Sequence, residues 1–90
     1  MRVAISSNFG FGGVRATELD VSGDATLRNL LTEVAMRYEY RLLAPDLTKV
    51  VDEVQITVNG KDYLFLPRRL ETSLNEGDEI GIYFYPLGGG

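Results

Sequence analysis

The last five residues, Pro86-Leu87-Gly88-Gly89-Gly90, hold the constellation with the plainest chemical use: a run of glycines ahead of a carboxylate. Glycine has no Cβ, so such a run can lie extended in a channel too narrow for any side chain. Fully extended, five residues reach about 17 Å, enough to carry a carboxylate from a small domain into a partner's buried active site. The residue types therefore point to a terminus that is itself the functional group, with Gly88, Gly89 and Gly90 as the candidate reactive positions. A frayed or appended end has the same composition, and the tail alone leaves both readings open.

What the rest of the chain lacks narrows the chemistry. There is no cysteine and no histidine among the 90 residues. Disulfides, thiolate nucleophiles and thiolate metal sites are thereby removed, and a thioester cannot be carried on a side chain of this protein. The commonest general base near neutral pH and the commonest nitrogen ligand for zinc are missing too, so neither autonomous catalysis nor a metal site is expected. A formal net charge of −4 argues against binding a phosphate backbone, which needs a basic stripe, and favours a basic or mixed-charge protein partner. With 44% hydrophobic and 24% charged residues, the composition is that of one folded domain. No apolar run approaches the roughly 18 residues of a membrane span, and no signal peptide is visible, so a cytoplasmic location is the expectation.

The elements that must position the tail follow from periodicity. Residues 2–5 (Arg-Val-Ala-Ile) alternate as a half-buried strand, and residues 14–21 alternate again. Between them residues 6–13 (Ser-Ser-Asn-Phe-Gly-Phe-Gly-Gly) are rich in turn formers and predict a hairpin loop. These glycines are no nucleotide loop, because no Gly-Lys-Ser/Thr ending follows and the next segment is a strand. Thr26 is a candidate N-cap for a helix running to about Tyr38, whose Leu27, Leu30, Leu31, Val34, Ala35 and Tyr38 form one apolar stripe. Residues 40–51 contain Pro45 and predict a loop with one short turn around 47–51. Residues 54–58 alternate as a strand, and Asn59-Gly60 is the preferred pair for a tight hairpin turn. Residues 63–66 are expected to return as a short strand, at an edge because Pro67 cannot donate to a central ladder. After an acidic turn at 75–79, residues 80–85 form the last strand. Its Ile80, Ile82 and Phe84 share one face and Gly81, Tyr83 and Tyr85 the other. Tyr83 and Tyr85 are either an aromatic patch for a partner or a half-covered sheet surface.

The order strand, strand, helix, strand, strand, strand, with the last strand leading straight into Gly-Gly, resembles the β-grasp, or ubiquitin-like, fold. That resemblance implies an α+β domain: a mixed sheet of four or five strands with one main helix (1–85) and a flexible reactive C-terminal tail (86–90). Val58-Asn59-Gly60-Lys61, Leu70 with Leu74, Gly77-Asp78-Glu79-Ile80, and Pro86 before Gly88-Gly89 are similar to the bacterial and archaeal sulfur-carrier branch, most of all the small subunit of molybdopterin synthase. Gly90 extends that pattern by one residue, so the reactive position is either Gly89 or Gly90. The 6–13 segment is more glycine-rich than in the family, so partner contacts on that side do not carry over.

A carboxylate with a pKa near 3.3 to 3.7 is anionic at neutral pH and a poor electrophile, so it must be activated from outside. The resemblance implies an ATP-dependent activating enzyme that adenylates the final glycine, after which a sulfur donor leaves a thiocarboxylate. The carrier binds no cofactor itself; ATP belongs to the activating enzyme. The implied partners are that enzyme and the large subunit of molybdopterin synthase, where this chain would be the non-catalytic small subunit delivering sulfur to a pterin precursor. Tyr83, Tyr85 and Leu87 are the candidate partner-binding residues. Neither nucleic acid nor a membrane is an expected partner. A sulfur carrier for transfer RNA thiolation or for thiamine or cysteine synthesis, a ubiquitin-like modifier joined to lysines, and a binding module with an inert tail remain open alternatives.

Overall fold

The computed structural model describes residues 1–11, 14–46 and 48–85. Five strands form one mixed sheet in the order β2-β1-β5-β3-β4, where β1 is Arg2–Phe11, β2 Val14–Asp20, β3 Val54–Val58, β4 Lys61–Asp62 and β5 Glu79–Phe84. β1 pairs antiparallel with β2 and parallel with β5, while β3 pairs antiparallel with both β5 and β4. The strand that precedes the tail is thus the central one. Strands β1 and β5 run parallel because the chain between them includes a crossover helix, α1 (Leu27–Tyr38).

Helix α1 forms where the sequence predicts it. Thr26 is extended (φ −99°, ψ 170°) and closes a reciprocal capping box: Asn29 N–H donates to Thr26 Oγ1 at 3.3 Å, and Thr26 N–H donates to Asn29 Oδ1 at 2.9 Å. The helix ends at Glu39, whose φ of 59° is left-handed. Leu27, Leu30, Leu31 and Val34 are fully buried, with Ala35 and Tyr38 packed at the margin. At roughly 1.5 to 3 kcal/mol for each buried aliphatic side chain, this stripe supplies a large part of the driving force. It shares one core with Val3, Ile5, Leu19, Ile56, Ile80 and Ile82 of the sheet.

Two turns fix the register of β5. Asn59 and Gly60 both have positive φ (52° and 86°), the signature of the expected tight hairpin between β3 and β4. The Asn59 side chain reaches across to the start of β5, accepting from Glu79 N–H at 3.0 Å and donating to Asp78 at 3.1 Å. The acidic turn before β5 is closed by Asp78, whose carboxylate accepts from Asn75 N–H at 2.8 Å. This turn then seats on the start of β1, with Gly77 N–H donating to Arg2 C=O at 2.8 Å and Ala4 N–H to Asp78 C=O at 2.9 Å.

Three expectations are corrected. Residues 6–11 belong to β1 and not to a hairpin loop: Ser6 and Ser7 lie opposite Gly81 and Ile82, and a second neighbouring strand outweighs local turn preference. The conflict survives as a slip in the β1–β2 register between Ser6 and Phe11. Residues 63–65 are a 3-10 turn and not a strand, because Asp62 accepts from Leu64 N–H at 2.9 Å and turns the chain, while Tyr63 is buried with its hydroxyl accepting from Val50 N–H at 3.3 Å. The hairpin partner shrinks to two residues, at the sheet edge as Pro67 suggested. The 40–51 segment is the expected loop, turning at Pro45-Asp46 and held by a bridge between Leu43 and Val50, which, with Leu42, are buried in the core; Leu47, where the short turn is expected, lies outside the described residues. Phe84 does not join the core face: it is 41% exposed because β5 outruns the core at its last residue.

Candidate functional site: the root of the C-terminal tail

The candidate reactive residues Gly88, Gly89 and Gly90, together with Leu87, lie outside the described residues. What is seen is the root from which they depart. Ile80 and Ile82 are fully buried between β1 and β3. Gly81 sits on the opposite face, and a Cβ there would lie 2.6 Å from a ring carbon of Tyr83 and also meet Thr57 Oγ1. The half-buried Tyr83 ring therefore lies back over Gly81 and beside Thr57. Tyr85 follows two residues on and is 54% exposed. The sequence read these two tyrosines either as a patch or as a half-covered sheet; Tyr83 covers the sheet and Tyr85 projects from it.

Past the end of the β1–β5 ladder, the root is gripped from both sides. On the β1 side the Asn8 side chain makes two bonds to one residue: Phe84 N–H donates to Asn8 Oδ1 at 2.8 Å, and Asn8 Nδ2 donates to Phe84 C=O at 3.0 Å. On the β3 side Tyr85 N–H donates to Glu53 C=O at 2.7 Å. Sequence reasoning missed Asn8, which sits in a run of turn formers. The available signal was chemical: a primary amide carries one acceptor and a donor pair, as a peptide group does.

Among the described residues no group of His, Cys, Asp or Glu is placed to hold a metal ion, and no helix is long and apolar enough to cross a membrane. The ionised groups near the other strands make surface pairs, such as Arg2 with Glu18 and Asp20. Asp46 has its carboxyl held below its usual pKa by the side-chain and backbone bonds it accepts from Thr48. It belongs to the 40–51 segment and not to β5. Among the described residues the root presents a strand end held on both sides and an exposed tyrosine.

A mixed five-stranded sheet with one helix across its face and the C-terminal strand at its centre is the β-grasp, or ubiquitin-like, fold. Solved structures of that fold superpose along nearly the whole chain. The small archaeal modifier protein SAMP1 from Methanosarcina acetivorans matches with a TM-score of 0.73 at 25% identity, covering 99% of this chain and 96% of that one. CysO from Mycobacterium tuberculosis, described as an antigen, matches with a TM-score of 0.68 at 26% identity over 93% and 99% of the two chains. A putative molybdopterin converting factor subunit 1 from Pyrococcus furiosus matches with a TM-score of 0.67 at 22% identity over 94% and 98%. Urm1 from Trypanosoma brucei and the CysO of an Amycolatopsis orientalis BexX/CysO complex share the fold. No protein-family model matches the sequence, and no curated protein is significantly similar to it.

Proposed function

We propose that this chain is a sulfur carrier whose final glycine is adenylated by an ATP-dependent activating enzyme and converted to a thiocarboxylate. The observation that carries this reading is the root: the central strand of a ubiquitin-like sheet, gripped through Tyr85, runs directly into Pro86-Leu87-Gly88-Gly89-Gly90. The chain has no His or Cys, so the carboxyl group is the reacting group and every acid, base and thiol comes from partners. Adenylation replaces a poor leaving oxygen by AMP, with pyrophosphate released. A sulfide equivalent then displaces AMP, leaving one sulfur where one carboxyl oxygen stood. ATP is the activating enzyme's substrate, and this chain binds no cofactor.

The sulfur is proposed to serve molybdopterin biosynthesis, with this chain as the small subunit beside a large synthase subunit. The likeness to the Pyrococcus furiosus protein described as a putative molybdopterin converting factor subunit supports that branch. In this reading Tyr83, Tyr85 and Leu87 meet the partner, and 86–90 is a reactive arm on a 1–85 body. The partnership with a second protein has support from the BexX/CysO complex. Carriers for transfer RNA thiolation or for thiamine or cysteine synthesis need the same tail and the same activation, so they stand beside this branch as alternatives. A second reading, a modifier joined to target lysines, is favoured by the archaeal modifier neighbours. Intact-mass spectrometry after incubation with ATP, a cognate activating enzyme and a sulfur donor tests the proposal. Replacement of one oxygen by sulfur, placed by fragment ions on Gly89 or Gly90, is the expected outcome. No mass change with an active enzyme overturns the carrier reading, and an isopeptide to a lysine establishes the modifier.

A further inference from the structure

We infer that Asn8 is a positioning residue: its side-chain amide grips both backbone groups of Phe84, past the Ser7–Ile82 pair, and so sets the direction in which the chain leaves β5. The regular parallel pairing ends at Ser7 opposite Ile82. Beyond it lies the part of β1 where its register with β2 slips, between Ser6 and Phe11. There Asn8 holds both backbone groups of Phe84, accepting from Phe84 N–H at 2.8 Å and donating to Phe84 C=O at 3.0 Å. Glu53 C=O takes Tyr85 N–H on the other side at 2.7 Å. Strand order thereby reaches Tyr85, and Pro86 follows with no N–H to donate. In the carrier reading a fixed root matters because misplacing a reacting group by about 1 Å can cost on the order of a hundredfold in rate.

The inference rests on the carrier reading for its functional half, and the test separates the two. Asn8 is exposed, so Asn8→Ala should keep the fold and leave Tm nearly unchanged. Hydrogen exchange at the Phe84 amide should accelerate by about tenfold or more once its acceptor is gone. Asn8→Asp, which keeps the acceptor and loses the donor, should hold that amide protected. In activation assays with ATP and the activating enzyme, Asn8→Ala should lower kcat by roughly tenfold with KM little changed, because the docking surface is intact while the tail is misdirected. Unchanged Phe84 exchange in Asn8→Ala overturns the clamp. A freed Phe84 with unchanged kcat overturns the positioning role. A wild-type chain that is never activated overturns the carrier reading and the positioning role with it, while exchange still decides the clamp.

Discussion

Gly81 shows how one missing side chain shapes the surface beside the tail. Its open face is filled by the Tyr83 ring and Thr57, so any Cβ must push the ring off the sheet. Gly81→Val should destabilise by about 1 to 3 kcal/mol in chemical denaturation, the usual cost of overpacking, and should raise Tyr83 exposure as read by its fluorescence or ring shifts. A variant of native stability with an unmoved ring would contradict the packing described. Asp46 gives a pH-dependent counterpart. Because its folded-state pKa is depressed, with Thr48 bonding as the main cause, the stabilisation it contributes is present above its ordinary pKa and is lost as pH falls through the lowered one. An NMR titration of the Asp46 carboxyl should therefore show an acid-shifted midpoint, and Thr48→Ala should return it toward the ordinary carboxylate value. The residue scale was partly legible. Asn59-Gly60 announced its turn, whereas Asn8 looked like one more loop former until β5 lay beside it.

At the scale of elements, α1 is the part whose sequence and structure agree throughout, because its cap, its stripe and its length are all local. Leu31 is fully buried in the middle of the stripe, and Leu31→Ala should cost roughly 2 to 5 kcal/mol in urea denaturation, with an unchanged m-value showing that the fold is retained. Thr26→Ala removes the hydroxyl of the capping box and should cost about 1 kcal/mol by the same measurement. The strands were legible in proportion to how far their partners are local. β3 and its turn were read correctly because the hairpin closes within a few residues. β1 was read too short because Ser6 and Ser7 are paired by Gly81 and Ile82 of β5, more than seventy positions away in sequence, and Phe11 by Val14 of β2. The 63–66 strand failed for the opposite reason: a local bond from Leu64 N–H to Asp62 turned the chain before a ladder could extend.

For the whole molecule, the sheet order sets β1 and β5 side by side, and the tail follows β5, the middle strand of the five. Removing Gly89 and Gly90 should leave the thermal midpoint unchanged, since neither residue has a side chain to add to the core, but on the carrier reading should abolish acceptance of adenylate and sulfur, read by intact mass. A shifted midpoint would show that these residues support the fold. The sequence by itself determined which chemistries the side chains can supply. The absence of His and Cys and the glycine run at 88–90 are facts of composition, and the helix and the Asn59-Gly60 hairpin are encoded by contacts only a few residues apart. Tertiary structure alone decided how the root of the tail, Phe84 and Tyr85, is held. The parallel β1–β5 pairing, the Tyr83 ring over Gly81 and the Asn8 grip on Phe84 join segments distant in sequence, and no local pattern specifies such contacts because their energy exists only once the chain has closed the intervening loop.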